Sequence, residues 1–465
     1  MTKPRISVIG AGLAGSEAAW QIARRGVAVD LYEMRPVKPT PAHQTDGFAE
    51  LVCSNSFGSD GAHSAPKMLK DELEVLGAFV LSAARHNSVP AGNSLAVDRV
   101  AFSQQITRAL AEHPLITIHR EEVAQIPESG TAIIATGPLT SDALARDLAE
   151  RVGQGSLYFY DAISPIVSAE SLDLSIIFRA NRYGKGESQD FLNIPLSKEQ
   201  YETLISDLLS GDVVLPHDFE KEKYFEGCMP VEAIAARGPR TLAFGPLRPV
   251  GLEDPRTGKR AYAVIQLRAE NRYGTAYNLV GFQTKLKYGE QLRIFRKLPG
   301  LENAEFLRLG CMHRNTYLDS PRVLAPSLQL KADPRLFLAG QLTGTEGYLE
   351  SSATGWLAGT NAARLVLGEE PLVLPPETML GALTHAITDT QKKNFQPINS
   401  NLGILPPLAV AIRDKKLRNA EYATRSVEAI KSLWADCESN PDRSHGLAPQ
   451  EVVPRSLPQS AAAPL

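Results

Sequence analysis

The chain has 465 residues, 43% hydrophobic and 22% charged, with a formal net charge of −3. That length allows two or three domains with large cores, and the near-neutral balance excludes a polycation that grips nucleic acid with its whole surface. Four cysteines (53, 228, 311, 437) with no C-x-x-C pair, nine histidines without metal-ligand spacing and no apolar run of spanning length argue against a disulfide scaffold, a metal site or a membrane protein, and for a reducing cytoplasm.

The chain enters its first element at once, with no signal peptide expected. Residues 5–35 read as strand, glycine turn, helix and strand. Ile6, Val8 and Ile9 supply the first strand, and the turn is Gly10-Ala11-Gly12-Leu13-Ala14-Gly15. An alanine-rich helix runs to Gly26, and Val27 to Tyr32 delivers Glu33. In this context G-x-G-x-x-G is a dinucleotide fingerprint. Gly10 permits the turn, Gly12 leaves room for a pyrophosphate, and Gly15 allows close packing. The helix N-terminus faces the phosphates, and Glu33 is placed to accept ribose hydroxyls. Taken alone, the unit fits NAD as well as FAD.

Residues 36–66 have loop composition and carry Cys53 in LVCSNSFGSDG. Helices are expected at Lys67–Leu76 and after Asp98, a candidate N-cap with Phe102, Ile106, Ala109 and Leu110 on one face. Short strands follow at Leu115–His119 and Thr131–Ala135. From residue 164 to 300 the strand–helix alternation stops. Ala261–Leu267 and Tyr277–Leu286 read as antiparallel strands, and Tyr201–Leu209 as a helix. Between Pro230 and Gly300 there are 13 Lys and Arg against 5 Asp and Glu, interleaved with Tyr262, Tyr273, Tyr277, Phe282, Tyr288 and Phe295. Cations with rings suit a looped RNA, although a basic surface over core aromatics has the same composition. Arg268, Asn271, Arg272 and Lys285 are the candidate contacts.

Alternation returns at Leu336–Leu338, followed by Ala339-Gly340-Gln341-Leu342-Thr343-Gly344, then Glu346-Gly347-Tyr348 and a helix from Ser351 to about Leu367. Such a segment brings a late strand back to the nucleotide, with Gly340, Gln341, Gly347 and Tyr348 as cofactor contacts. Residues 369–407 are proline-rich, and Arg413–Leu433 is a basic amphipathic helix candidate. The expected fold is α/β: a Rossmann-like FAD-binding domain with a large inserted α+β domain. Residues 1–163 and 301–436 form the former, 164–300 the insertion, and 437–465 a disordered tail.

Long motifs carry a resemblance beyond the fingerprint: FAELVCSNSF, YFEGCMPVEAIAARG, AFGPLRPVGL, NLVGFQTKLKYGEQ and LAGQLTGTEGYLESSATG. Together they resemble the folate- and FAD-dependent tRNA (uracil-5-)-methyltransferases. Related wobble-uridine flavoproteins are longer at the C-terminus. The resemblance implies resident FAD, NAD(P)H as reductant and 5,10-methylenetetrahydrofolate as donor. The one-carbon unit would go to C5 of the T-loop uridine of tRNA (position 54), giving 5-methyluridine. Competing readings are another FAD-dependent tRNA-uridine-modifying enzyme and a small-molecule flavin oxidoreductase. The chemistry asks for a thiolate to add at C6, so that C5 becomes nucleophilic, and for a base to take the C5 proton. Cys228, in Glu226-Gly227-Cys228-Met229-Pro230, and Cys53 are the two candidates. The resemblance makes Cys228 the nucleophile and Cys53 its partner thiol, with the reverse assignment open. Cys311 reads as a small buried hydrophobe and Cys437 as a bystander.

Overall fold

The structure is a computed structural model, and it describes residues 4–40, 42–153, 157–162, 164–184, 190–214, 229–392 and 395–438. Its main sheet has six strands in the order Gln329–Leu330, Asp333–Leu338, Ala132–Ile134, Arg5–Ile9, Ala28–Tyr32, Ile116–His119. All pairings are parallel except the edge hairpin at Gln329–Leu330. Ile6, Val8, Ile133 and Phe337 are fully buried, as expected for a parallel sheet covered on both faces. The fingerprint strand lies inside this sheet, so its C-terminal end opens at the crevice where such folds take their ligands.

Two helices lie against each other over this sheet. The fingerprint helix, Leu13–Ala23, packs along the return helix, Tyr348–Val366. Gly355 and Gly359 make the approach possible. A Cβ on Gly355 would stand 2.3 Å from the Ala14 carbonyl oxygen, and one on Gly359 would stand 2.6 Å from that of Ala18. Backbone therefore meets backbone, and the two helices run in the same direction.

A second sheet is antiparallel throughout: Phe178–Arg179, Leu192–Leu196, Ala263–Ala269, Ala276–Leu279, Ile166–Ser168, Phe306–Arg308. It encloses its own core, which includes Tyr201, Phe282 and Phe295. The helix Lys198–Ser210 covers it and starts in a capping box of Ser197 and Gln200. Its last strand lies beyond residue 300, where the sequence places the end of the insertion. The strand expected at Tyr277–Leu286 stops at Leu279, because the chain turns at Gly281, whose φ is +79°.

Three other differences concern helices and the long loop. Residues 36–66 are not all irregular: Ser56–Ser59 pairs with Ser94–Val97. The proline-rich 369–407 stretch contains a buried helix, Met379–Ile387. The C-terminal helix runs from Lys415 to Glu438, through the point where the tail was expected to begin. Among the described residues no helix is long and apolar enough to cross a membrane.

Glu72 ties these late helices to the first half of the chain. It is fully buried on the helix Ala65–Val75. Its carboxyl group accepts from the Met379 and Leu380 N–H groups, the latter at 2.9 Å, and from the Ser426 hydroxyl. Burial raises its pKa to about 7, against the donors, which pull the other way. An unfolded glutamate titrates near ~4.3, so the folded state binds the extra proton between these values. The resulting stability is complete at low pH and is lost as pH rises through about 7. Glu72→Gln is therefore expected to lower the baseline Tm but to flatten its fall between roughly pH 5 and pH 8, read by thermal unfolding across that range.

Candidate active site at the Cys53 loop

The crevice begins with the glycines. Gly10 sits at φ +97°, and a Cβ there would stand 2.6 Å from the Ala135 carbonyl oxygen. A Cβ on Gly15 would stand 1.7 Å from the Gly10 carbonyl oxygen. A Cβ on Gly12 would meet nothing, so that side of the turn is open. Gly12 caps the fingerprint helix and Gly347, at φ +119°, caps the return helix. Neither helix has a side-chain cap. The first-turn N–H groups of the fingerprint helix are thus left for a ligand, as a pyrophosphate requires, whereas at the return helix the Glu350 carboxylate lies against Gly347 and takes the Glu350 N–H.

Glu33 lines this crevice with Gly10, Gly12 and Thr136. It accepts from the Ala11 N–H at 3.2 Å and from Arg35 Nε at 2.9 Å. Burial pushes its carboxyl up, but the bonds and charge of Arg35 outweigh this and hold it below its ordinary value. On the return segment, the Gly340 N–H donates to Thr354 Oγ1 at 2.9 Å, and Gln341 Nε2 donates to Glu346 at 2.5 Å. Gln341 is thus committed within the protein. The open turn at Gly12, the bare end of the fingerprint helix and the ionised Glu33 fit an adenine dinucleotide.

The Cys53 loop lies where the two sheets meet, and it is held from four sides. The Tyr348 hydroxyl accepts the N–H groups of Cys53 (2.9 Å) and Ser54 (3.1 Å), and lies 2.9 Å from Cys53 Sγ. Arg99 donates to the Leu51 carbonyl and pairs with Glu270. Arg308 donates to the carbonyls of Val52 (3.0 Å) and Ala42 (3.1 Å). Arg268 donates to Ser54 Oγ at 3.2 Å, and Asn55 Nδ2 reaches the Ala269 carbonyl at 2.9 Å. Burial lowers the pKa of Arg268 and of Arg308. Burial, then the charge of Cys53, raises the Tyr348 phenol well above its ordinary value, so it stays protonated. A protonated tyrosine whose oxygen already accepts two N–H groups has its proton to give to the sulfur.

The other sequence candidates separate. Arg268 faces the Cys53 loop rather than the outer surface. Asn271 holds the turn after its strand, through Thr275 at 2.8 and 3.2 Å. Arg272 is exposed, 4.0 Å from Asp98. Lys285 is half-buried, its N–H on Glu232 at 3.3 Å. Tyr277, Phe282 and Phe295 are core rings, which leaves Tyr273 and Tyr288 as exposed ones in the basic stretch. Cys228 lies outside the described residues. Cys311, expected to be buried, is partly exposed and close enough to Arg308 to feel its charge. Arg99, Glu270 and Arg308 were not singled out from sequence. Two-residue alternation puts Gln266, Arg268 and Glu270 on one face of a strand, and this was the available signal.

A family model described as Glucose inhibited division protein A matches residues 5–370. A protein of Moorella thermoacetica named Methylenetetrahydrofolate--tRNA-(uracil-5-)-methyltransferase TrmFO is 57% identical over 428 residues, 92% of this chain and 98% of that protein. One of the same name from Desulforamulus reducens is 54% identical over 438 residues, 94% of this chain and 99% of that protein. Among solved structures, Aquifex aeolicus GidA in its form II crystal superposes with a TM-score of 0.68 at 18% identity, over 97% of this chain and 75% of that one. That likeness is one of fold. The identities to the first two are about three times higher and span nearly the whole chain, and the chain belongs to the methylenetetrahydrofolate–tRNA-(uracil-5-)-methyltransferase family.

Proposed function

We propose that this enzyme transfers the one-carbon unit of 5,10-methylenetetrahydrofolate to C5 of the T-loop uridine of tRNA in the cytoplasm, forming 5-methyluridine. The observation that carries the reading is the Cys53 loop: a thiol 2.9 Å from a buried tyrosine hydroxyl, beside three guanidiniums, at the junction of a dinucleotide crevice and a basic second sheet. Gly10–Gly15, Glu33 and the return segment Gly340–Tyr348 would hold FAD, which when bound supplies the electrons that turn a methylene into a methyl group, with NAD(P)H as the source of hydride.

The chain's own residues do the rest. A thiolate adds to C6 of the uracil and C5 becomes enolate-like and attacks the methylene carbon; removal of the C5 proton by a base then breaks the bond to the folate nitrogen and releases tetrahydrofolate, and a hydride delivered to the exocyclic methylene expels the thiolate and leaves the methyl group. Cys228 is the proposed nucleophile and Cys53 the partner thiol. The charges of Arg99 and Arg268 act on Cys53, and this cationic setting supports assigning it the C5 proton. Arg99, Arg268 and Arg308 position the loop through its carbonyls and Ser54.

The test is product formation. Purified flavin-loaded enzyme, unmodified tRNA, methylenetetrahydrofolate and NAD(P)H are expected to give 5-methyluridine at a single position. Omission of the folate should abolish it. Absence of product with a competent tRNA and full flavin content defeats the reading.

A further inference from the structure

A second cleft, of about 690 Å³, opens where the small sheet containing Ser56–Ser59 and Ser94–Val97 faces the second sheet. Its volume is that of a small-molecule pocket, roughly 300–1,000 Å³. Ser64 and Gly92 lie on one side and Arg182, Tyr183, Arg248 and Gln266 on the other, and among the described residues no carboxylate lines it. Asp190, next to the lining residue Phe191, is engaged by the Gly92 N–H (2.6 Å) and Asn181 Nδ2 (3.2 Å).

The two arginines are the unusual feature. Arg182 donates to the backbone carbonyls of Arg248 (2.9 Å) and Val250 and to Gln266 Oε1 (3.2 Å), so its guanidinium is fixed in place. Burial, then the charge of Arg248, lowers its pKa. Arg248 is exposed and, among the described residues, its side chain has no hydrogen bond and no ion pair. Two neighbouring cations with no carboxylate among the described lining residues repel each other and are relieved by an anion between them. The helix Ala65–Val75 starts at Ser64 and adds its positive end.

Tyr183 supplies a flat surface. Its φ is +60°, a strained conformation for tyrosine, and its N–H is bound to the Gly251 carbonyl at 2.7 Å. One side of the ring rests on Gly251, and the side chain is 58% exposed. The cleft also leads toward the thiol. Gln266 and Arg268 share a strand face, about 7 Å apart, and Arg268 touches Ser54.

We propose that this cleft seats the phosphorylated adenosine end of the reductant, with the 2′-phosphate between Arg182 and Arg248 and the adenine against Tyr183, and that the enzyme therefore prefers NADPH to NADH. This rests on the reading of the protein as a NAD(P)H-reduced flavoenzyme. A phosphate monoester carries close to two charges and matches two guanidiniums better than the single charge of an RNA phosphodiester, and a concave site suits a small ligand.

The test is anaerobic reduction of the flavin holoenzyme, followed by loss of flavin absorbance without tRNA or folate. Hydride leaves the dihydronicotinamide and, with a solvent proton, gives reduced flavin and oxidised dinucleotide. Arg248→Ala is expected to raise the half-saturating NADPH concentration about 10- to 100-fold and to collapse the preference over NADH. Arg248→Lys should fall between. Calorimetry with adenosine 2′,5′-bisphosphate should show binding to wild type that the variant loses. Equal NADPH and NADH dependence in wild type, or an unchanged preference in Arg248→Ala, overturns the proposal. So does a loss of tRNA affinity with NADPH kinetics intact, which would make the cleft part of an RNA track. Because no methyl transfer is read, failure of the methylation assay leaves this result interpretable, and the converse holds.

Discussion

Gly355→Val is expected to abolish retention of FAD. The fingerprint and return helices touch through backbone at this point: the added side chain would begin 2.3 Å from the Ala14 carbonyl oxygen and 2.8 Å from its Cα. Neither contact is the movable end of a side chain, so the helices must part. Parting them shifts the fingerprint turn at Gly12, which lines the crevice of the proposed pyrophosphate position, away from the return helix. It also opens the all-buried seam of Ala14, Ala18, Ala358 and Ala362. Overpacking of this kind typically costs about 1–3 kcal/mol, and backbone contact places the valine at or above the top of that range. Alanine at the same position should retain part of the flavin. Gly289→Ala is the control, since a Cβ there meets nothing and its effect should stay within about 0.5 kcal/mol. The flavin-to-protein absorbance ratio and thermal unfolding check this. A valine variant that purifies fully yellow would show that the helix seam does not set the cofactor site.

That seam shows what local pattern conveys and where it stops. The glycines of residues 10–15, the acid at Glu33 and the strand at Leu336–Leu338 have fixed spacings, and these place the crevice. Asp98 announces its helix, and its carboxylate indeed accepts from Val100 and Ala101 at 3.1 Å. Gly355 and Gly359 were equally visible as a glycine pair at helical spacing. Their meaning depends on which helix crosses there, and no local pattern carries that information. The same holds for Arg268, grouped by composition with the outward basic residues. Its strand face was legible, but the docking of the second sheet onto the Cys53 loop decides that this face is interior. Arg99 and Arg308 were missed for the same reason, since the carbonyls they hold are 48 and 256 residues away in sequence. Tyr277–Leu286 failed for a local reason: hydrophobic alternation continued past a glycine that reverses the chain.

The second large effect concerns the pair Cys53 and Tyr348. On the proposed mechanism Cys53→Ala should reduce single-turnover formation of 5-methyluridine by about 10²–10⁴, the range for removal of a general acid–base group. Tyr348→Phe deletes three interactions at once: two from the loop N–H groups and one to the sulfur. The loop keeps its anchors at Arg99, Arg268 and Arg308, so the variant should fold, while the thiol loses a hydroxyl that can donate to it. A loss of about 10²-fold in turnover is expected, with little change in tRNA affinity. The geometry also predicts how the two effects combine. If Tyr348 acts through Cys53, then once the thiol is gone the hydroxyl has nothing left to donate to, and the double variant should be no slower than Cys53→Ala alone. Multiplicative losses would instead assign Tyr348 a separate task, and an unimpaired Cys53→Ala would remove the thiol from the mechanism. A merely structural tyrosine gives a different signature, in which flavin content and thermal stability fall in step with turnover. The pH dependence of iodoacetamide labelling at Cys53 distinguishes the cases independently of turnover: loss of the donor should shift the onset of thiolate reactivity to higher pH in Tyr348→Phe.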